Sequence, residues 1–156
     1  MASCPPNKQV YDAIRKQWIE ATPEEVVRQK LLHYMIHELG YPKHLIAVEK
    51  QLSELPQLKD QKKTLPLRRL DILCFDKKSL SPLLLIECKS IPIQEKMLAQ
   101  LLGYNAFVRA PFICLANDKQ IVFGWMDEEK GEYRYHHTLP PFEKLICPQA
   151  KSLNKT

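Results

Sequence analysis

The run Leu83-Leu84-Leu85-Ile86-Glu87-Cys88-Lys89 ends the most apolar stretch of the chain on two ionisable side chains. Taking a carboxylate out of water costs on the order of several kcal/mol even after relaxation, so an acid placed there needs a partner or a task. Strand side chains alternate, which puts Glu87 and Lys89 on one face and Cys88 on the other. A second acid, Asp71, lies inside Arg69-Leu70-Asp71-Ile72-Leu73-Cys74-Phe75. If the two strands are hairpin neighbours, it reaches the same face. Two adjacent carboxylates repel, and one takes up a proton unless a cation sits between them. A divalent metal removes that conflict, and oxygen ligands open to water and phosphate suit Mg²⁺ or Mn²⁺. Lys89 then lies where it could steer a metal-bound water or stabilise charge developing on a phosphate.

The bare pattern, an acid two residues before a lysine, occurs at Asp60, Asp76, Glu87 and Glu128. The other three lie in polar, turn-like surroundings and read as solvated surface. Only Glu87-Cys88-Lys89 follows an apolar strand and has an acid in the strand before it. The context carries the chemistry.

The elements that must hold these groups follow from local signals. Thr22-Pro23-Glu24-Glu25 is a helix start, with a Thr cap, Pro at the first helical position and acids in the first turn. That helix runs to about Leu39 and stops at Gly40. At 100° per residue Glu24, Arg28, Leu31 and Met35 fall along its apolar stripe, while Glu25 sits in the capping-box position. Strands are expected at 45–52, 69–75, 83–89, 112–116, 120–125 and 132–136, and a second helix over 94–108. In that helix Lys96, Gln100 and Tyr104 share a stripe, so Gln100 and Tyr104 could orient a phosphate or a metal-bound water. The order α-β-β-β-α-β-β(-β) makes an α/β layer arrangement, a mixed sheet flanked by helices. Residues 53–66 read as a long exposed connection.

The 156 residues suffice for one domain, expected over 21–147, with a polar arm or short helix over 1–20 and a polar tail over 148–156. A composition 45% hydrophobic and 26% charged excludes disordered and fibrous classes. The net charge of +5 permits a polyanionic partner. No apolar run is long enough to span a membrane, and the N-terminus lacks the apolar core of a signal peptide, so a cytoplasmic location is expected. Five scattered cysteines without a CxxC pair argue against a zinc site or disulfide framework, and Cys74, Cys88 and Cys114 read as reduced core residues.

The segments TPEEVVRQKLLHYMIHELGYP, LIAVEKQL, RRLDILCFD, LLLIECKS and QLLGYN, taken together, resemble the PD-(D/E)XK nuclease superfamily. Within it the resemblance is to the N-terminal nuclease-like domain of type I restriction enzyme R subunits, as found in short stand-alone proteins. It implies a restriction-endonuclease-like α/β core and metal-dependent hydrolysis of DNA. Asp71 and Glu87 correspond to the metal-binding acids, with the Cys88 carbonyl as a further ligand, and Lys89 to the catalytic lysine. Glu24 corresponds to the first-helix acid. Gln100 and Tyr104 correspond to the QxxxY motif of the RecB-like branch. Arg69, two before the aspartate, also matches and could meet a phosphate. Arg28, Arg69, Lys62 and Lys63, with Arg68, would supply attraction to the DNA backbone without reading sequence. The chain departs from the pattern in a longer, Lys- and Pro-rich segment between Glu49 and Asp71. It also has no GxxxxGK[ST] motor motif.

The competing reading is a non-catalytic module that keeps this fold and grips nucleic acid or protein without cutting. A structural salt-bridge network in an unrelated α/β protein is a third. Paired cuts in duplex DNA would favour a homodimer, and choosing a site would require a further partner.

Overall fold

The computed structural model describes residues 8–61, 64–66 and 68–146. Lys62 and Lys63, like the tail after Ile146, lie outside the described residues. A six-stranded sheet runs β3 (Ile46–Gln51), β4 (Arg69–Phe75), β5 (Pro82–Cys88), β6 (Phe112–Ala116), β7 (Ile121–Asp127) and β8 (Glu132–His136), each strand beside the next. All neighbours are antiparallel except β5 and β6, which are parallel and joined through helix α2 (Glu95–Val108). A parallel pair requires such a crossover, and a helix is its usual form. β5 and β6 bury nearly every residue, as expected of strands covered on both faces.

Two cores lie on the two faces. Helix α1 (Pro23–His37) packs Val27, Leu31, Leu32 and Met35 against Ile72, Cys74, Leu84, Ile86, Cys88 and Cys114. Each of the Val, Leu, Ile and Met side chains among these contributes about 1.5–3 kcal/mol when fully buried. Thr22 caps α1 by accepting from the Glu25 N–H at 3.2 Å. On the other face α2 packs Met97, Leu101 and Val108 against Leu73, Leu85, Ile113 and Leu115. Cys74, Cys88 and Cys114 are buried free thiols, as expected. No helix among the described residues is long and apolar enough to cross a membrane.

Three parts of the chain differ from the sequence expectation. The N-terminal segment is a β-hairpin, β1 (Gln9–Asp12) against β2 (Gln17–Glu20), where an arm or short helix was expected. Its Asp12 is fully buried and accepts from the Ile14 and Arg15 N–H groups, a local turn that a polar sequence can hide. The connection after β3 is not an exposed loop. Two 3₁₀ segments, Leu52–Glu54 and Pro56–Gln61, bury Leu52, Leu55 and Leu58 against the α2-side core, and Leu65 joins them. Leucines three apart match the three-residue turn of a 3₁₀ helix. A short helix α3 (Phe142–Ile146) closes the α1-side core, tied to the end of α1 by the Phe142 N–H donating to the Leu39 carbonyl at 2.9 Å.

Candidate functional site

β4 and β5 pair with Ile72 opposite Ile86 and Leu73 opposite Leu85. Asp71 and Glu87 each lie one residue beyond the last pair, Ile72 with Ile86, at the same end of this two-strand ladder. Alternation breaks just here. Leu70 and Leu73 both join the α2-side core while Ile72 and Cys74 join the α1 side, so Asp71 falls at the switch. Its Oδ2 accepts from the Cys88 N–H at 2.8 Å. In an extended strand the N–H and C=O of one residue lie on the same edge, so the Cys88 carbonyl faces β4 as well.

Glu87 is 3% exposed, on the α2 side. Its Oε2 accepts from Arg68 Nη2 at 2.6 Å and lies 4.0 Å from Lys89 Nζ. Its Oε1 is buried with no hydrogen-bond partner among the described residues. Burial and, after it, the charge of Asp71 push the Glu87 carboxyl up to about 7, against the pull of Arg68 and Lys89. The same contact holds the Arg68 guanidinium above its usual range despite its own partial burial. The pair therefore favours the arginine, while its setting disfavours the buried carboxylate. Arg68 also donates to the Tyr104 hydroxyl at 3.0 Å and stacks 4.5 Å from the centre of that ring.

On the α1 side of Asp71 a second charged cluster is laid down by three elements. Glu25 and Arg28 come from α1, Glu49 from β3 and Arg15 from the hairpin turn. Arg15 Nη2 meets Glu25 Oε1 at 2.6 Å, Arg28 Nε lies 2.9 Å from Glu25 Oε2, and Arg28 Nη2 reaches Glu49 Oε1 at 3.0 Å. Glu49 adopts φ 53°, a left-handed conformation that costs a non-glycine residue about 1–2 kcal/mol. Burial would raise the Glu49 carboxyl, but Arg28, Arg15 and Arg69 together hold it below its usual range. Arg15 Nε also pairs with the buried Asp12 at 2.6 Å. Removing one partner of such a pair strands the other, so Asp12→Ala should cost about 3–5 kcal/mol, read as a fall in melting temperature. An unchanged melting temperature would show that the hairpin is not held through this contact.

The expected site residues separate accordingly. Asp71, Glu87, Cys88, Lys89 and Tyr104 lie in one neighbourhood. Cys88 turns its thiol into the α1-side core, where burial pushes it well above its usual range and keeps it neutral, leaving the carbonyl as its available oxygen. Gln100 is exposed on α2, and its side chain makes no hydrogen bond among the described residues. Glu24 is also exposed, and the buried first-helix acid is Glu25, which corrects the expectation. Helical side chains lean toward the N-terminus, so an acid in the first turn overhangs the helix end, and Glu25 finds the hairpin arginine. Arg28, 6% exposed and paired with Glu25 and Glu49, is a buried positioning group and not a surface anchor for a DNA backbone. Arg69 is largely exposed and touches Glu49 at 3.4 Å.

Sequence reasoning missed Glu49 and Arg15 as site residues and placed Arg68 only in the general cationic surface. The signal for Glu49 was available, since it is an acid inside an apolar strand, as Asp71 is.

No group of three or more His, Cys, Asp or Glu side chains among the described residues is arranged to hold a metal ion. The donor set is instead two carboxylates and a backbone carbonyl, all oxygen. Mg²⁺ is commonly held by one or two carboxylates together with waters and substrate phosphate, so the set fits. The unpartnered Glu87 Oε1 is the oxygen such an ion would satisfy.

A mixed sheet flanked by helices, with opposed acids at the open end of its central strands, defines a restriction-endonuclease-like α/β domain. The family model described as "Type I restriction enzyme R protein N terminus (HSDR_N)" matches residues 23–140, and the chain belongs to that family. Among solved structures, a fragment assigned to an HsdR subunit of a type I restriction enzyme from Vibrio vulnificus YJ016 aligns with a TM-score of 0.54 at 15% identity. The alignment covers 81% of this chain and 24% of that chain, so this chain spans about a quarter of that fragment's length. At this identity the likeness is one of fold. No curated protein matches the sequence.

Proposed function

We propose that this domain hydrolyses DNA phosphodiester bonds with Mg²⁺ or Mn²⁺, as a PD-(D/E)XK nuclease of the RecB-like branch. The observation that carries the reading is Glu87, a buried carboxylate opposed by Asp71, raised toward neutrality, with one oxygen unpartnered. Asp71, Glu87 and the Cys88 carbonyl would hold the ion, which supplies Lewis-acid polarisation of the scissile phosphate and a more acidic bound water. Lys89 stands beside Glu87 and orients the attacking water or meets the phosphate oxygen as its charge grows. Tyr104 acts through Arg68. Glu25, Arg28 and Glu49 fix α1 and β3 around Asp71, a positioning role. Arg69 contributes attraction to the backbone, with Lys62 and Lys63, which carries no sequence information. The family further suggests work within a type I restriction system, beside DNA and other subunits that supply site choice.

One observation favours the module that binds without cutting. Arg68 already gives Glu87 a cation at 2.6 Å, so charge is balanced without a metal. Incubation with plasmid, linear duplex and single strands, in Mg²⁺, Mn²⁺ or chelator, separates the two. Metal-dependent cleavage is the expected result. Retention of DNA on the protein with every substrate intact would favour the module.

A further inference from the structure

We propose that Arg68 is the phosphate-binding residue of this site, held in reserve on Glu87 and released by the divalent cation. The inference rests on the reading of Asp71 and Glu87 as metal-holding acids and adds how metal and DNA are coupled.

Glu87 Oε2 has two cations, Arg68 at 2.6 Å and Lys89 at 4.0 Å, while Oε1 has none. Asp71 and Glu87 ionised against Arg68 and Lys89 sum to zero charge. Adding a divalent ion leaves an excess of +2 beside a carboxylate that is 3% exposed, where screening by water is weak. The cation better placed to turn into solvent is Arg68, whose side chain is 28% exposed against 19% for Lys89. It stands between the buried acid and solvent.

Its departure need not undo its anchorage. The Tyr104 ring, 4.5 Å from the guanidinium, supports a cation above its face whichever way the N–H groups point. A guanidinium turned outward presents a planar fork that matches a phosphate bidentately. The phosphodiester then offsets the excess charge that the metal created. Metal and DNA thus favour each other's binding through one side chain that has two alternative partners.

The test pairs two measurements on the full chain that move in opposite directions. Mn²⁺ titrated by calorimetry without DNA should bind Arg68→Gln about tenfold tighter than the parent, because the competing cation is gone. In saturating Mn²⁺, anisotropy of a labelled phosphorothioate duplex, chosen to resist cleavage, should show Arg68→Gln binding about tenfold weaker. In chelator the two proteins should bind the duplex alike. Arg68→Lys keeps the charge without the fork, so its duplex affinity in Mn²⁺ should fall between the two, and it guards against a folding defect in Arg68→Gln. A structural arginine would weaken both affinities or leave both unchanged, and either result overturns the proposal. If the parent binds Mn²⁺ but Arg68→Gln shows no opposed shifts, the role of Arg68 alone is overturned. If the parent binds no Mn²⁺, the reading of the acids falls with it.

Discussion

Asp71→Asn and Glu87→Gln proteins are expected to fold and to lose DNA cleavage in Mg²⁺ by about 10³-fold. That is the scale of removing a preorganised electrostatic contact to a reacting phosphate. Both substitutions keep the side-chain shape and one acceptor oxygen and remove one negative charge, so the loss reports chiefly the charge. Asp71→Asn retains an amide oxygen able to accept from the Cys88 N–H, which protects the strand pairing while weakening the ion's hold. Lys89→Ala should lose about 10²–10⁴-fold, the range for a positioned proton-transfer group, while its Mn²⁺ affinity stays close to that of the parent. Initial rates on linear duplex, with melting curves beside them, distinguish lost chemistry from lost folding. Cleavage by Asp71→Asn at the parental rate would remove that acid from the reaction.

The second large effect is on stability. Glu87 is raised from 4.5 to about 7 in the folded protein, by burial first and then by Asp71. A carboxyl raised on folding keeps its proton longer in the native state than in the unfolded one. Its favourable share of stability is therefore complete below the unfolded value and is lost as pH rises through about 7. The span corresponds to a change on the order of 3 kcal/mol at pH 8 in chelator. Glu87→Gln, neutral throughout, should melt several degrees above the parent at that pH, and the gap should close as pH falls toward 4.5. Millimolar Mn²⁺ at pH 8 should raise the parent's melting temperature and leave that of Glu87→Gln unmoved. A Glu87→Gln protein that melts well below the parent at pH 8 would mean that the Arg68–Glu87 pair is chiefly structural.

The parts legible in the sequence were those set by local physics. The Thr22-Pro23 start of α1, the apolar run of β5 and the polar turn between β4 and β5 each fix their element without reference to distant residues. From them followed the opposition of Asp71 and Glu87. What escaped depends on long-range partners or on an unusual period. The hairpin strands are four residues each, and the link to α1 is an ion pair from Arg15 to Glu25, ten positions away. Glu24 and Glu25 differ by one residue, and only the place of Arg15 shows which is drawn inward. Leu52, Leu55 and Leu58 hid among prolines and lysines because a 3₁₀ period fits neither the helical nor the strand template. Arg68 and Arg69 are adjacent arginines, and the family resemblance singled out Arg69, yet Arg68 pairs with Glu87 while Arg69 stays largely in solvent.

The metal site itself is tested by a calorimetric titration of Mn²⁺ into the parent protein at pH 8, repeated with Asp71→Asn and Glu87→Gln. One saturable site in the parent, lost or weakened at least tenfold in each variant, is the predicted result. Binding that persists unchanged in both variants, or no binding by the parent, would contradict it.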